Sequence, residues 1–165
     1  MRRYEAGIEL DGTIHEVCRQ GGLEGVLSAP SEDAVRQAVS SGPIVISNVS
    51  VLRCDAILPV EQSRIRSFDL PNLQTNEIMT KVQQNLESLE VLEWLWDVVA
   101  VPVLNALKFI QSVLDRLSPH IWWIPTGPLR KFCLRVTGYY RQVHNAESVI
   151  NRAMSSYSSS IKAII

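Results

Sequence analysis

The chain has 165 residues, enough for one domain with a real core, and its 46% hydrophobic and 20% charged composition excludes a disordered polymer. A formal net charge of -1 argues against nucleic acid or a membrane surface as a partner recruited by bulk electrostatics. Three scattered cysteines, Cys18, Cys54 and Cys133, lack C-x-x-C spacing, which argues against a disulfide framework and a zinc site and suits a reducing compartment.

Residues 4–20 carry weak helical periodicity (Ile8, Ile14, Val17), broken at Gly7 and Gly12 and ended by Gly21 and Gly22. No apolar h-region follows Met1, so no secretory signal is expected. Residues 23–27 read as a short extended piece. Ser31 is placed to cap a helix over about residues 32–41, with Glu32 and Asp33 at its positive end and Gly42 closing it. That helix buries Val35, Ala38 and Val39. Strand-like runs follow at 44–49, 56–60 and 65–70. The link at 50–55 is too short for a parallel crossover, so the first two strands are antiparallel neighbours in a meander at one end of a sheet.

From Thr75 the period changes to three and four: Ile78, Val82, Leu86, Leu89, Trp96 and Val99 trace one face of a long amphipathic helix. Pro102 ends or kinks it, since proline supplies no amide donor. A second helical pattern runs from Val103 to Leu117. The apolar run 94–107 is interrupted by Asp97, Pro102 and Asn105 and is too short to span a bilayer. His120, Ile121, Trp122, Trp123 and Ile124 then form a β-branched and aromatic strand, stopped by Pro125, Thr126, Gly127 and Pro128. Residues 155–160 are serine-rich and lead into one further helical turn, after which the chain reads as cut short.

Glu93-Trp94-Leu95-Trp96-Asp97, Val101 to Leu107 and Ile121 to Leu129 resemble the CHAT domain of fungal proteins, a caspase-like domain often found with tetratricopeptide repeats. Gly42 to Ser50 with Arg53 to Ala56 is similar to its first two strands. Val149 to Arg152 with Ser155 to Ser160 is similar to a later strand and helix start. The resemblance spans roughly residues 23–165. It implies a caspase-like three-layer α/β/α sandwich, incomplete on its C-terminal side, preceded by a helical segment at 1–22.

Peptidase members of that family use a histidine and a cysteine. In the stretch aligned with the family's histidine, Cys133 to Gly138, that position is Arg135. A guanidinium stays protonated and cannot act as general base, although it can stabilise a thiolate. The cysteine position would lie beyond residue 165. No catalytic residue is therefore assigned, and no cofactor or metal is expected.

Core packing is the expectation for Cys133, since free cysteine is among the most buried residue types. His120 reads as a packed or capping residue, while His15 and His144 read as surface histidines. Arg116, Arg130, Lys131, Arg135 and Arg141, interleaved with Trp122, Trp123, Phe132, Tyr139 and Tyr140, resemble a single-strand nucleic-acid platform only superficially. With net charge near zero, the tryptophans are expected in the core and the arginines in solvent. One of Trp94 and Trp96 is expected in the core and the other against a neighbouring element. Glu87, Glu90 and Glu93 read as a solvated stripe.

The functional expectation is a partial, inactive CHAT domain, intracellular and cytoplasmic, acting by protein–protein contact in signalling. Its partner is another protein or the remainder of a larger CHAT and repeat protein, with self-association through an open sheet edge. The alternative is a fragment of a caspase-like cysteine peptidase that lacks its cysteine half.

Overall fold

A computed structural model describes residues 2–21, 29–60, 64–110, 118–140 and 147–165. The extended piece expected at 23–27, His144, Arg116 and Arg141 lie outside them. Helix α1 (Arg2–Cys18) runs unbroken for 17 residues through both Gly7 and Gly12, which corrects the expected interruption. An interior glycine weakens a helix by about 1 kcal/mol but still supplies its amide donor and acceptor. Tyr4, Ile8 and Leu10 of α1 are exposed. Helix α2 (Glu32–Ser40) forms as expected: Ser31 Oγ accepts the Ala34 N–H at 3.2 Å, and Ala38 and Val39 are buried. At Gly42 the chain turns with φ +134, its N–H donating to Val39 O at 3.0 Å.

Strands β1 (Ile44–Val49), β2 (Cys54–Val60) and β3 (Arg64–Asp69) are the antiparallel meander expected from the short link. The single long helix expected next is instead broken in two. Helix α3 (Thr75–Lys81) stops early, and α4 (Leu89–Leu95) restarts with Ser88 Oγ accepting the Val91 N–H at 3.4 Å. Between them, Asn85 Oδ1 accepts the Glu87 N–H at 3.1 Å, a local turn that competes with helix. Glu87 consequently lies outside the helix that carries Glu90 and Glu93, so the three do not form one helical stripe.

Pro102 does not end the helix. It sits in the first turn of α5 (Val101–Ala106), directly after a π-helical turn, Trp96–Ala100. The Val101 N–H reaches back five residues to Trp96 O, widening the turn where proline has no N–H to give and its ring would crowd the backbone. The second helical pattern is interrupted after Ala106. Lys108 takes φ 62, its N–H donates to Asn105 O and the Phe109 N–H donates to Leu104 O, which is a Schellman ending with lysine in place of glycine. Residues 111–117 lie outside the described ones.

The tryptophan strand is β4 (His120–Pro125). After it come two 3-10 turns, Gly127–Lys131 and Leu134–Val136, then a small ladder of β5 (Gly138–Tyr139) and β6 (Glu147–Ser148), the single turn α6 (Val149–Arg152), and β7 (Met154–Tyr157). The main sheet has five strands in the order β3-β2-β1-β4-β7, with β1, β4 and β7 mutually parallel. A last 3-10 turn, Ile161–Ala163, is capped by Ser160 Oγ, the short helix start expected there.

Alternation along the strands divides the core in two. Val45, Ile121 and Trp123 join Cys54, Ala56 and Leu58 in the larger cluster, with Ile78, Leu95, Trp96, Val99, Val103 and Leu104 from the helices. Ile44 and Ile124, with Ile46 and Trp122 partly buried, face the other way, under Ala38 and Val39 of α2 and beside Ile161 and Ile164. The chain is thus a mixed α/β fold with helical cover on both faces of its sheet. No described helix is long and apolar enough to cross a membrane.

Candidate functional site

Parallel strands gather chemistry at their carboxyl ends, where loops leave a fixed sheet. Here those ends are Val49, Pro125 and Tyr157. Thr126 stitches the first two together: its N–H and hydroxyl both donate to Ser47 O, at 3.0 and 2.9 Å, and its Oγ1 accepts the Val49 N–H at 3.1 Å. Beyond Pro125 and Tyr157 opens a cleft of about 510 Å³ whose lining includes Arg130, Lys131, Cys133, Tyr157, Ser158 and Ser159.

Cys133 is exposed in this cleft, against the expectation of core packing. The apolar demand of the region is met by its neighbours, Phe132 at 3% and Leu134 at 0% exposure, and the intervening residue is turned outward as the second 3-10 turn begins. The Tyr157 hydroxyl lies 4.0 Å from Cys133 Sγ and accepts the Arg135 N–H at 2.8 Å. Partial desolvation of the phenol, in a residue otherwise exposed, raises its pKa above the ordinary tyrosine value, so it stays a protonated donor. Arg135 itself is exposed, its backbone held by Tyr157.

His120 sits at the other end of β4. Its Nδ1 is 3.2 Å from Ser41 O, which can only accept, so Nδ1 carries a proton; in the neutral ring Nε2 then accepts from the Ser156 hydroxyl at 2.8 Å. The ring stands edge-on to Trp122 at 5.0 Å. This is the packed, bonded histidine expected from the sequence. The length of β4, about 16 Å at roughly 3.3 Å per residue, separates it from the cleft that holds Cys133. His15 is exposed on α1. The structure therefore does not bring His120 to Cys133, and among the described residues no His, Cys, Asp and Glu side chains form a group able to hold a metal.

The aromatic residues around the basic ones are occupied elsewhere. Trp123 and Phe132 are buried, Trp122 donates its Nε1–H to Ser41 Oγ at 3.2 Å, and the Tyr140 hydroxyl donates to Val136 O at 2.7 Å. Trp96 is in the core with Arg152 over its ring at 5.0 Å, whereas half-buried Trp94 meets Phe132 at 6.0 Å. Glu90 pairs with Lys81 at 2.6 Å.

The Tyr139 hydroxyl, which sequence reasoning passed over, contacts both Asp97 carboxylate oxygens at 2.7 and 2.8 Å. That hydrogen bond, with the nearby negative charge, raises the phenol pKa above 10.0. It ties β5 to the π-helical turn. No local pattern announces such a contact between residues 42 positions apart.

Compared with protein-family models the chain matches none, and it matches no curated protein.

Proposed function

We propose that this chain is a non-catalytic, caspase-like module of CHAT type that works by contact with another protein, as part of a signalling assembly. The observation that carries the reading is the separation of Cys133 from His120. Cys133 stands at the carboxyl end of β4, with Arg135 rather than histidine two residues away, while His120 is bonded at the amino end. A guanidinium cannot take the thiol proton. The parallel strand order β1-β4-β7, with helices on both faces, is compatible with a caspase-like layout. The free cysteines support a reducing, cytoplasmic setting.

The test is hydrolysis of a fluorogenic peptide library by the full chain and by Cys133→Ala. The reading expects both to match buffer alone. Hydrolysis that disappears in Cys133→Ala overturns it.

A further inference from the structure

Strand β7 is the last of the sheet, and its inward side is held by the ladder to β4, flanked by bonds from Met154 N–H to Pro119 O at 2.8 Å and from Ser158 N–H to Trp123 O at 3.0 Å. Pairing groups alternate along a parallel ladder, so Met154, Ser156 and Ser158 face β4 while the N–H and C=O of Ser155 and Tyr157 point away from it. Among the described residues no strand lies on that outer side. Met154 and Tyr157 are exposed, at 57% and 40%.

Two hollows flank this edge. One of about 320 Å³, near the start of β7, is lined by Arg135, Ile150, Met154 and Ser155 among others. The other is the 510 Å³ cleft at its end, with Arg130 and Lys131. Among the described residues no aspartate or glutamate lines either. Three cations within residues 130–135 contrast with the chain's net charge of -1.

The geometry points to β7 as a docking edge for a short, extended, acidic segment of a partner protein. The segment's backbone pairs with Ser155 and Tyr157, and its carboxylates lie against Lys131 and Arg135, with apolar side chains over Ile150 and Met154. Strand addition of this kind draws affinity from main-chain bonds and selectivity from the flanking hollows. A second copy of the chain suits the edge less well, because pairing β7 with β7 would bring each basic stretch toward its own counterpart.

The inference rests on the protein-contact reading above, and the two fail separately. Cys133-dependent hydrolysis overturns that reading, whereas an inert, folded chain that ignores acidic peptide overturns the edge alone.

The experiment is fluorescence anisotropy of the full chain with a fluorescein-labelled octapeptide of alternating glutamate and valine. Saturable binding is expected, weakening by about tenfold in the double variant Lys131→Glu/Arg135→Glu and weakening again as salt is raised. Both positions are exposed, so the variant's thermal midpoint is expected to match the parent and to report intact folding. The same peptide N-methylated at alternate residues keeps its charge but cannot pair as a strand, and is expected to bind about tenfold more weakly. Equal binding of the N-methylated peptide, equal binding of a lysine–valine peptide, or dimerisation through β7 in sedimentation would each overturn the assignment.

Discussion

Gly42→Ala is the substitution that most sharply probes how α2, β1 and β4 are joined. Gly42 has φ +134, a conformation that L side chains rarely adopt, and an added Cβ would lie 2.6 Å from the backbone oxygen of His120 and 3.3 Å from its carbonyl carbon. Strain of that kind costs about 1–3 kcal/mol. The colliding atoms belong to β4 backbone, so relief requires β1 and β4 to part near the Trp122 N–H bond to Pro43 O, 2.9 Å long. Weakening that bond adds about 1 kcal/mol. The expected loss is about 3 kcal/mol, or a fall of roughly 6–12 °C in Tm for a domain of this size. Urea unfolding followed by far-ultraviolet circular dichroism would show a lower midpoint at unchanged slope. Gly12→Ala is the control: its added Cβ meets nothing within 4 Å, and in a helix it is expected to stabilise by up to about 1 kcal/mol. A Gly42→Ala protein within about 0.5 kcal/mol of the parent would refute the reasoning.

Other substitutions test single features. Lys108→Gly relieves a left-handed residue at the exposed end of α5 and is expected to stabilise the chain by about 1 kcal/mol in the same urea assay. Ser47→Ala removes a fully buried hydroxyl with no hydrogen-bond partner among the described residues, so a rise in Tm is expected, equivalent to about 1 kcal/mol. The Tyr139–Asp97 contact favours the protonated phenol, raising its folded pKa above 10.0. Its stabilisation is therefore complete below pH 10 and lost as pH rises through the folded value. The stability difference between the parent and Tyr139→Phe, measured from pH 8 to pH 11, is expected to shrink only at the alkaline end (about pH 10 and above).

Much of the sheet was legible because its causes are local. Runs of β-branched and aromatic residues mark β1 and β4, the four-residue link between β1 and β2 forces an antiparallel pair, and Ser31 caps α2 where a short side-chain acceptor precedes two acids. The assignment of His120 as a bonded, packed residue followed from its place at a strand start. Apolar periodicity misled where turn chemistry overrode it. Ile78, Val82 and Leu86 keep helical spacing across a break, because Asn85 and Ser88 offer the backbone other partners. Pro102 reads as an end or a kink, and a π-helical turn carries the backbone past it.

The site was less visible. Cys133 looks like a core residue by type, and only the competing burial of Phe132 and Leu134 turns it outward. The Tyr157 contact with Arg135 joins residues 22 positions apart, and β7 is a short serine-rich strand whose role depends on its place in the sheet rather than on its composition.

Amide hydrogen exchange along β7, read residue by residue in the full chain, tests the free edge most directly. The Ser156 N–H, which the ladder turns toward β4, should be protected, while those of Ser155 and Tyr157 should exchange almost as fast as in an unstructured peptide. Equal protection at all three in a monomer would mean that the outer side of β7 is already covered, which contradicts a docking edge.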